Sequence, residues 1–262
     1  MSYETIRVQR QESIWFLQLH RPQSDNTINT RLIAECAQVL TQCEESATVV
    51  VLEGLPQVFC TGADFQGIAG AAAQGARIYS DPGPLYDLWQ TLATGPYVTV
   101  AHVRGRSNAG GVGFVAACDI VLAETAARFS LSELLFGLMP ACVLPFLIRR
   151  MGFQKAHYLT LTTQPISSAQ AYDYGLVDAY ASSSDELVRR HLLRLRRVSK
   201  TAIRRYKRYL QELLPPLQQA RPAALAANHE VFTDRDNIEA IARYVERGTF
   251  PWERGDDSLP GG

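Results

Sequence analysis

The sequence predicts an α/β fold in one domain that continues into a helical C-terminal region. A strand over residues 98–103 leads into a glycine-rich turn, an apolar helix and a second strand over residues 119–123, which together form a βαβ-type unit. Beyond residue 150 the hydrophobic pattern is largely helical. With 262 residues, the chain is long enough to bury a sizeable core.

The elements before this unit follow from hydrophobic periodicity. Residues 3–19 alternate between apolar and polar types and then form an apolar run, which predicts two strands joined by a hairpin. Asn26 and Thr27 supply N-cap chemistry for a helix whose apolar stripe covers residues 32–40. A buried strand is expected over residues 49–52.

Composition and turn residues suggest where the chain is less regular. Residues 67–84 are rich in Gly, Ala and Ser, so we expect a mobile loop there. A helix is predicted over residues 233–247. The predicted division is a core domain over residues 1–195, a C-terminal helical region over residues 196–255 and a disordered tail over residues 256–262.

Composition places the chain among ordinary globular proteins. Hydrophobic residues make up 47% and charged residues 20% of the sequence, which excludes disordered, collagen-like and coiled-coil classes. Lys and Arg number 26 and Asp and Glu number 26, so the formal net charge is zero. This balance argues against a surface built as a whole to bind nucleic acid.

The sequence also predicts a cytoplasmic protein without a metal or other cofactor. The N-terminus lacks the features of a signal peptide, and no run is apolar and long enough to span a bilayer. The five histidines suggest no triad or metal set. The cysteines are odd in number and lack zinc-ligand spacing, so we expect reduced thiols at Cys36, Cys43, Cys60, Cys118 and Cys142.

Two glycine-containing turns that follow strands could supply an oxyanion hole. The run over residues 108–113 does not fit the spacing of a nucleotide-binding fingerprint, which disfavours a nucleotide site. Bare N–H groups at a helix start can instead stabilise an oxygen that becomes negative during acyl chemistry. The candidate donors are Gly110 and, in the turn over residues 60–64, Ala63. Either turn alone would favour a tight structural connection.

A set of motifs spread over nearly the whole chain resembles the crotonase superfamily of enoyl-CoA hydratases and isomerases. The motifs are His20-Arg21-Pro22 and the segments over residues 26–29, 59–64, 108–113, 119–120, 129–137, 166–171 and 175–177. The resemblance implies a ββα-superhelix core and a trimer or a dimer of trimers. It also implies an acyl thioester whose carbonyl oxygen lies between the N–H groups of Ala63 and Gly110.

Hydratases of this superfamily use two glutamates, and only one of them is present. The retained glutamate is Glu133, while the position of the first one falls on Gly113. This incomplete pair argues against simple enoyl-CoA hydration. One well-placed carboxylate still suffices to move the C2 proton of a thioester whose enolate is held in an oxyanion hole. The alternative interpretation of Glu133 is a surface carboxylate near a helix start.

Further segments resemble the crotonase homologues of polyketide β-branching cassettes, and in particular their dehydratase member. These segments cover residues 96–98, 108–111, 129–138, 140–150, 193–197 and 250–253. The resemblance implies conversion of 3-hydroxy-3-methylglutaryl-ACP to 3-methylglutaconyl-ACP, where ACP is an acyl carrier protein. The decarboxylase that acts next in the same pathway is the nearest rival. Retention of Glu133 favours dehydration.

The expected chemistry leaves the proton donor to the departing hydroxide open. Glu133 removes the C2 proton while the two N–H groups hold the enolate. Asp64 is the first candidate donor, and capping of the following helix is its alternative role. Tyr86 and Asp87 are weaker candidates, and the substrate's distal carboxylic acid could occupy the space opened at Gly113. The decarboxylase rival could use His229.

A basic segment is the candidate docking face for the carrier protein. Residues 189–208 contain ten Lys or Arg and no Asp or Glu. Apolar residues near helical spacing, among them Leu192, Tyr206 and Leu213, are expected to face inward. A solvated basic helix without a partner is the alternative. An acidic ACP helix or the phosphate of its pantetheine arm could bind Arg194, Arg196, Arg197, Lys200 and Arg204.

Three other functions stay open. They are the ACP-linked decarboxylase, a CoA-linked enoyl hydratase or isomerase, and a carrier-binding subunit without catalytic activity. Gln23 stands where CoA-using relatives often carry Lys or Arg, which favours ACP over CoA. Glu133 and the two glycine turns argue against the non-catalytic alternative.

Trp89 and Trp252 are expected to pack in the core or at an interface.

Overall fold

A computed structural model describes residues 3–74 and 81–253 of the chain. Short 3-10 turns lie at Pro22–Ser24, Glu133–Phe136 and Pro251–Glu253. The strands are β1 (Ile6–Gln11), β2 (Ile14–Leu19), β3 (Val49–Glu53), β4 (Val58–Cys60), β5 (Val98–Val103), β6 (Arg106–Asn108), β7 (Ile120–Glu124), β8 (Arg128–Ser130), β9 (Ile166–Ser167) and β10 (Ala179–Ala181). The helices are α1 (Thr30–Ser46), α2 (Phe65–Ala73), α3 (Gly83–Thr94), α4 (Gly110–Ala117), α5 (Leu144–Met151), α6 (Phe153–Thr162), α7 (Ser168–Asp173), α8 (Ser184–Leu195), α9 (Lys200–Leu213), α10 (Leu217–Thr233) and α11 (Arg235–Arg247).

The strands form a larger and a smaller sheet. The larger sheet has the order β1-β2-β3-β5-β7-β10, in which β1 and β2 form an antiparallel hairpin and the other neighbours are parallel. The smaller sheet has the order β4-β6-β8-β9, with β9 antiparallel to β8. Both the predicted hairpin and the predicted βαβ-type unit, formed by β5, α4 and β7, are confirmed.

Both faces of the larger sheet are covered, so its central strands are apolar on both sides. On one face, Val50 and Leu52 of β3 pack in the main core together with residues of α1 and α4. On the other face, Val49 and Val51 pack against Leu187 of α8. Helix α8 therefore lies on the opposite face of the sheet from α1 and α4.

The smaller sheet brings three separate loops to one place. Strands β4, β6 and β8 are parallel neighbours, so their carboxyl ends meet at the same edge. The segments that leave this edge contain Gly62, Gly110 and Glu133. The sheet therefore places two glycine turns and a glutamate side by side, although they are far apart in sequence.

The N-cap of α1 differs from the sequence prediction. The cap is Asn29, whose side-chain oxygen accepts a hydrogen bond from the Leu32 N–H at 2.9 Å. Asn26 is fully buried instead, and its amide nitrogen donates to the carbonyl oxygens of Leu19 and Phe59 at 3.0 Å each. Asn26 has a φ of 53°, so it turns the chain before the helix rather than starting it.

Part of the expected mobile loop over residues 67–84 is helical instead. Helix α2 extends through Ala73, and α3 begins at Gly83, directly after a turn in which Asp81 accepts the Gly83 N–H at 2.8 Å. Residues 75–80 lie outside the described part of the chain. The predicted tail over residues 256–262 also lies outside it.

The basic segment over residues 189–208 is divided between α8 and α9, so its apolar residues do not form one continuous stripe. Ser199 caps α9, so the turn between α8 and α9 resets the helical phase. Ile203 and Lys207 are the buried residues of α9, whereas Tyr206 and Leu213 are 61% and 59% exposed, contrary to the prediction. Burial of Lys207 is compensated because its ammonium group contacts Asp119 at 2.7 Å.

Candidate active site

A cavity of about 1840 Å³ opens where the smaller sheet meets α1, α2 and α3. It is bounded further by the segment over residues 132–143 and by side chains from α10 and α11. The predicted site residues Ala63, Asp64, Gly110 and Glu133 all line it. The structure therefore brings the core of the predicted site together around one cavity.

The two glycine turns are in direct contact. Gly62 has a φ of +89°, a conformation that favours glycine. A Cβ built on Gly62 would lie 2.7 Å from the Cβ of Ala109 and 3.2 Å from the Gly110 nitrogen. Any side chain at residue 62 would therefore separate the turns that carry Ala63 and Gly110.

The N–H groups of Ala63 and Gly110 have no hydrogen-bond acceptor within the described residues. Gly110 is the first residue of α4, where a helix leaves its N–H groups without internal partners. Ala109 precedes it with a φ of 51° and a ψ of −123°, a strained conformation for a residue with a Cβ. Two adjacent, unpaired donors at a cavity wall are the arrangement that stabilises a developing oxyanion.

Glu133 is a buried carboxyl group at the start of a 3-10 turn. The residue is 9% exposed, and its Oε2 atom has no hydrogen-bond partner in the part of the chain that the structure describes. Burial raises the pKa of Glu133 to about 7, against the opposing effect of hydrogen bonds from the N–H groups of Glu133 and Ser132. A carboxyl group of this kind can both accept and donate a proton near neutral pH.

Asp64 is held by two contacts on the same wall. Its Oδ1 atom accepts the Gly67 N–H at 3.0 Å, at the start of α2, and its Oδ2 atom lies 3.1 Å from the Arg21 guanidinium. Arg21 is fixed in turn by a 2.9 Å hydrogen bond to the Thr27 hydroxyl. These contacts favour the capping role of Asp64 over the proton-donor role.

Trp89 of α3 fills the space beside Gly113. A Cβ built on Gly113 would lie 2.5 Å from Cζ2 and 2.6 Å from Cη2 of the Trp89 indole. The indole is 1% exposed and still lines the cavity. The proposal that the substrate's distal carboxylic acid occupies a space opened at Gly113 is therefore wrong, because an aromatic ring already occupies that space.

Two weaker candidates lie away from the cavity lining. The Tyr86 hydroxyl donates to the Leu217 carbonyl oxygen at 2.6 Å, and burial raises the pKa of Tyr86 to about 12. Tyr86 is fully buried and is not part of the cavity wall. His229 is exposed on α10, where its neighbour Asn228, rather than His229 itself, reaches the cavity. The structure does not bring either side chain into the site.

A polar strip that the sequence analysis missed leads along the smaller sheet toward the site. Arg106 of β6 is paired in register with Arg128 of β8, and Asn108 is paired with Ser130. The four side chains line the cavity on one face of the sheet. Ser130 donates to the Asn108 side-chain oxygen, and the Asn108 amide donates to the Ser132 hydroxyl, both at 2.8 Å. Recognising this strip requires the strand register, which single residues do not reveal.

The predicted docking residues lie elsewhere. None of Arg194, Arg196, Arg197, Lys200 and Arg204 is among the residues that line the cavity. Arg196 contacts Glu12 at 2.8 Å, and the Lys200 ammonium group donates to the Ala47 carbonyl oxygen at 2.6 Å, at the end of α1. The docking role of this basic surface stays a prediction.

His102 forms a buried network outside the cavity. Its Nδ1 atom lies 2.8 Å from Glu53 and its Nε2 atom 2.9 Å from the Ser184 hydroxyl. Because neither Ser184 nor His102 lines the cavity, this network ties β3, β5 and α8 together rather than serving the site. These residues are far apart in the chain, so the sequence alone does not reveal this grouping.

Other site types are not observed in the described residues. There, no cluster of His, Cys, Asp or Glu could hold a metal ion, and no helix is long and apolar enough to cross a membrane. The five cysteines are free and buried. Burial raises the pKa of Cys60 and Cys142 to about 12, so both thiols are protonated at neutral pH.

Comparison with known proteins identifies the family. The family model for enoyl-CoA hydratase/isomerase matches residues 9–255. The chain belongs to this family. Bacillaene synthase dehydratase PksH of Bacillus subtilis strain 168 is 57% identical over 254 residues, which cover 97% of this chain and 98% of PksH. The 2,3-dehydroadipyl-CoA hydratase of Escherichia coli K12 is 29% identical over 251 residues, which cover 92% and 96% of the two chains.

Solved structures of the family confirm the crotonase fold. The crystal structure of PksH from Bacillus subtilis has a TM-score of 0.94 at 57% identity, and the match covers 95% of this chain and 100% of that one. An enoyl-CoA hydratase from Bacillus halodurans has a TM-score of 0.81 at 20% identity, with coverage of 91% and 99%. The predicted α/β class and helical C-terminal region are therefore confirmed.

Proposed function

We propose that the protein is a dehydratase that converts 3-hydroxy-3-methylglutaryl-ACP to 3-methylglutaconyl-ACP during polyketide β-branching. The observation that carries the proposal is the buried carboxyl group of Glu133, whose Oε2 atom has no hydrogen-bond partner among the described residues. It shares a cavity with the N–H groups of Ala63 and Gly110, which have no acceptor in the same part of the chain. High similarity to a protein named as a dehydratase of bacillaene synthase supports the same reaction type and pathway class.

The first step is formation of an enolate. The thioester carbonyl oxygen accepts hydrogen bonds from the N–H groups of Ala63 and Gly110, which stabilise the negative charge that develops there. Glu133, in its carboxylate form, takes the proton from C2. The electrons of the broken C–H bond form the C1–C2 double bond of the enolate.

The second step expels water. The enolate collapses, the C2–C3 double bond forms and the C3–O bond breaks. Glu133 is now a carboxylic acid and donates its proton to the leaving hydroxide. A pKa of about 7 suits both roles of Glu133, because neither protonation state is strongly disfavoured near neutral pH. These two steps use only groups of the chain and need no metal or other cofactor.

The polar strip supports a substrate carried on a phosphopantetheine arm. Arg106 and Arg128 face each other on paired strands, where like charges repel unless an anion lies between them. Asp25 offsets part of this repulsion through a 3.2 Å contact with Arg106. Arg128 already donates from Nη1 to the carbonyl oxygens of Ala126 and Ala127 at 3.1 and 2.8 Å. A phosphate could bind the other guanidinium donors of the two arginines, and Asn108 and Ser130 lie between this pair and Gly110, where they could bond the amides of the arm.

The decarboxylase alternative is less well supported than dehydration. Removal of CO2 from 3-methylglutaconyl-ACP generates the carbanion without a base at C2, so Glu133 would have no first-step role. A buried carboxyl group with one oxygen left unpaired among the described residues is costly to keep, which favours a reaction that uses it. A carrier-binding subunit without catalytic activity would not need the strained Ala109 beside Gly110 either.

The decisive experiment is intact-protein mass spectrometry of 3-hydroxy-3-methylglutaryl-ACP after incubation with the protein. Loss of the mass of one water from the ACP species is expected, with a slower reaction of the matching CoA thioester. The Glu133→Gln variant, which keeps the size of the side chain, serves as the control and should leave the mass unchanged. No change with the native protein, followed by loss of CO2 from 3-methylglutaconyl-ACP, would identify the decarboxylase instead. Binding of ACP without any product would identify the non-catalytic alternative.

A further inference from the structure

Trp89 is held rigidly against the helix that carries an oxyanion donor. Its indole packs edge-to-face on Phe114 of α4 and on Phe146 of α5, with ring centroids 5.8 Å apart in both cases. Its Cη2 atom lies 3.8 Å from the position that a Cβ on Gly110 would take. These contacts fix the indole orientation next to the reacting end of the cavity.

The ring and the glycine at residue 113 are complementary in shape. A Cβ at residue 113 would approach three atoms of the indole within 2.5–2.9 Å, and these atoms cannot move freely between two packed aromatic rings. A side chain at residue 113 and tryptophan at residue 89 are therefore mutually exclusive. The indole atoms nearest residues 110 and 113 are carbons, while the indole Nε1 atom is buried without a hydrogen-bond partner among the described residues.

This wall lies beside the acyl carbons that react. Gly110 holds the thioester oxygen on C1 in the proposed function, and C3 is two bonds further along the acyl chain. The leaving hydroxyl on C3 must point to Glu133 to receive its proton. The carbon edge formed by Cζ2 and Cη2 of the indole can accept a hydrocarbon substituent, whereas a hydroxyl or carboxylate against these two carbon atoms would receive no hydrogen bond from them.

We infer that Trp89 is a specificity-determining residue that selects acyl chains with an apolar branch on C3. This inference rests on the proposed function, since it concerns the substrate of the same site. Trp89 takes no part in proton transfer. It positions the C3 substituents so that the methyl group contacts the indole and the hydroxyl faces Glu133.

The test compares two ACP thioesters that differ by one methyl group. The native protein should dehydrate 3-hydroxy-3-methylglutaryl-ACP with a kcat/KM about tenfold above that for 3-hydroxyglutaryl-ACP, since one methyl in a fitted pocket gives this order of discrimination. Trp89→Leu should reduce the ratio to near one, with the larger change in the methyl-branched substrate. Trp15→Leu is the matched control, because Trp15 is also buried but does not line the cavity.

The outcomes separate the inference from the proposed function. If the native protein dehydrates neither thioester, the proposed function fails. If it dehydrates them with a ratio that Trp89→Leu leaves unchanged, or with no preference at all, only the inference about Trp89 is overturned. A ratio that falls equally in Trp15→Leu would also overturn it, because general loss of core packing would then be the cause.

A second experiment tests the shape complementarity between Trp89 and Gly113. Gly113→Ala alone should lower both the melting temperature and kcat/KM, because the added Cβ meets the indole at 2.5 Å. Combination with Trp89→Leu should restore the melting temperature toward that of Trp89→Leu alone, since the clash is gone. A Gly113→Ala variant with native stability and native methyl preference would contradict the proposed contact between the two residues.

Discussion

The reaction cavity has two walls of opposite character. The wall after β8 carries Glu133, a buried carboxyl group with an unpaired oxygen, whereas the wall formed by α3 and α4 presents the indole of Trp89 over Gly113. A two-carboxylate site would hold water between two proton-transfer groups. In the proposed mechanism a single carboxyl group carries both proton transfers, and the inferred role of Trp89 adds shape selection.

The largest expected effect comes from removing Glu133, the proton-transfer group of the proposed mechanism. Glu133→Gln should lower kcat/KM for the ACP thioester about 10³-fold, because general acid–base groups contribute on this scale. Steady-state kinetics by mass spectrometry measures the change. A variant with more than a tenth of native activity would show that another group moves the C2 proton.

The same substitution should change the pH dependence of stability. The pKa of Glu133 is raised to about 7 in the folded protein, so the protonated form is favoured by folding. Glu133 therefore contributes fully to the free energy of unfolding below its unfolded pKa of about 4.5. This contribution is lost as the pH rises from there through the folded pKa of about 7, at about 1.4 kcal/mol per pH unit. The free energy of unfolding of Glu133→Gln, relative to the native protein, should rise by about 3 kcal/mol between pH 4.5 and pH 8.5.

Urea unfolding at a series of pH values tests this linkage. Denaturation midpoints should be similar for the two proteins near pH 4.5 and higher for the variant near pH 8.5. A difference that is independent of pH would show that the Glu133 carboxyl group titrates in the folded protein as it does in water.

A smaller effect is expected at the entrance of the polar strip. Arg106→Glu with Arg128→Glu should raise KM for the ACP thioester about tenfold and leave kcat nearly unchanged, because a charge-assisted hydrogen bond contributes about 1.5 kcal/mol. Arg194→Glu with Arg197→Glu is the matched pair on the basic surface behind the larger sheet. If only this second pair raises KM, the carrier docks on α8 and α9 as the charge pattern of the sequence predicts.

The smallest effect is expected at Asp64. Asp64→Asn keeps the size of the side chain and weakens a partly exposed ion pair with Arg21, so kcat/KM should fall by less than about fivefold. The comparison with Glu133→Gln under the same conditions decides between one and two proton-transfer groups. A fall of about 10²-fold or more in Asp64→Asn would establish Asp64 as the proton donor to the leaving hydroxide.

The two walls also differ in how far the sequence predicts them. Ala63, Gly110 and Glu133 follow directly from strand–turn patterns and motif resemblance, because the local sequence determines the turns that carry them. Trp89 could be predicted only as a packed aromatic residue, since its contact with Gly113 depends on how α3 and α4 pack in three dimensions.

Other errors have the same origin in tertiary structure. The cap of α1 lies at Asn29 because the Asn26 side chain instead donates hydrogen bonds to the carbonyl oxygens of Leu19 in β2 and Phe59 in β4. The prediction of the inward face of α9 is wrong for two reasons. The turn before Ser199 interrupts the helix, so the apolar spacing does not continue from α8 into α9. Lys207 also faces inward, where it forms an ion pair with Asp119. Sequence periodicity detects neither a buried ion pair nor a buried polar side chain that holds a turn through hydrogen bonds to the backbone.

Hydrogen exchange at C2 of an analogue that cannot eliminate tests the central claim most directly. The 3-methylglutaryl-ACP thioester lacks the hydroxyl group, so enolate formation can only be followed by return of a proton. In D2O, the native protein should introduce deuterium at C2, whereas Glu133→Gln should not, and intact-protein mass spectrometry measures both. Absence of exchange with the native protein, or equal exchange with Glu133→Gln, would contradict an enolate formed by Glu133 in the oxyanion hole.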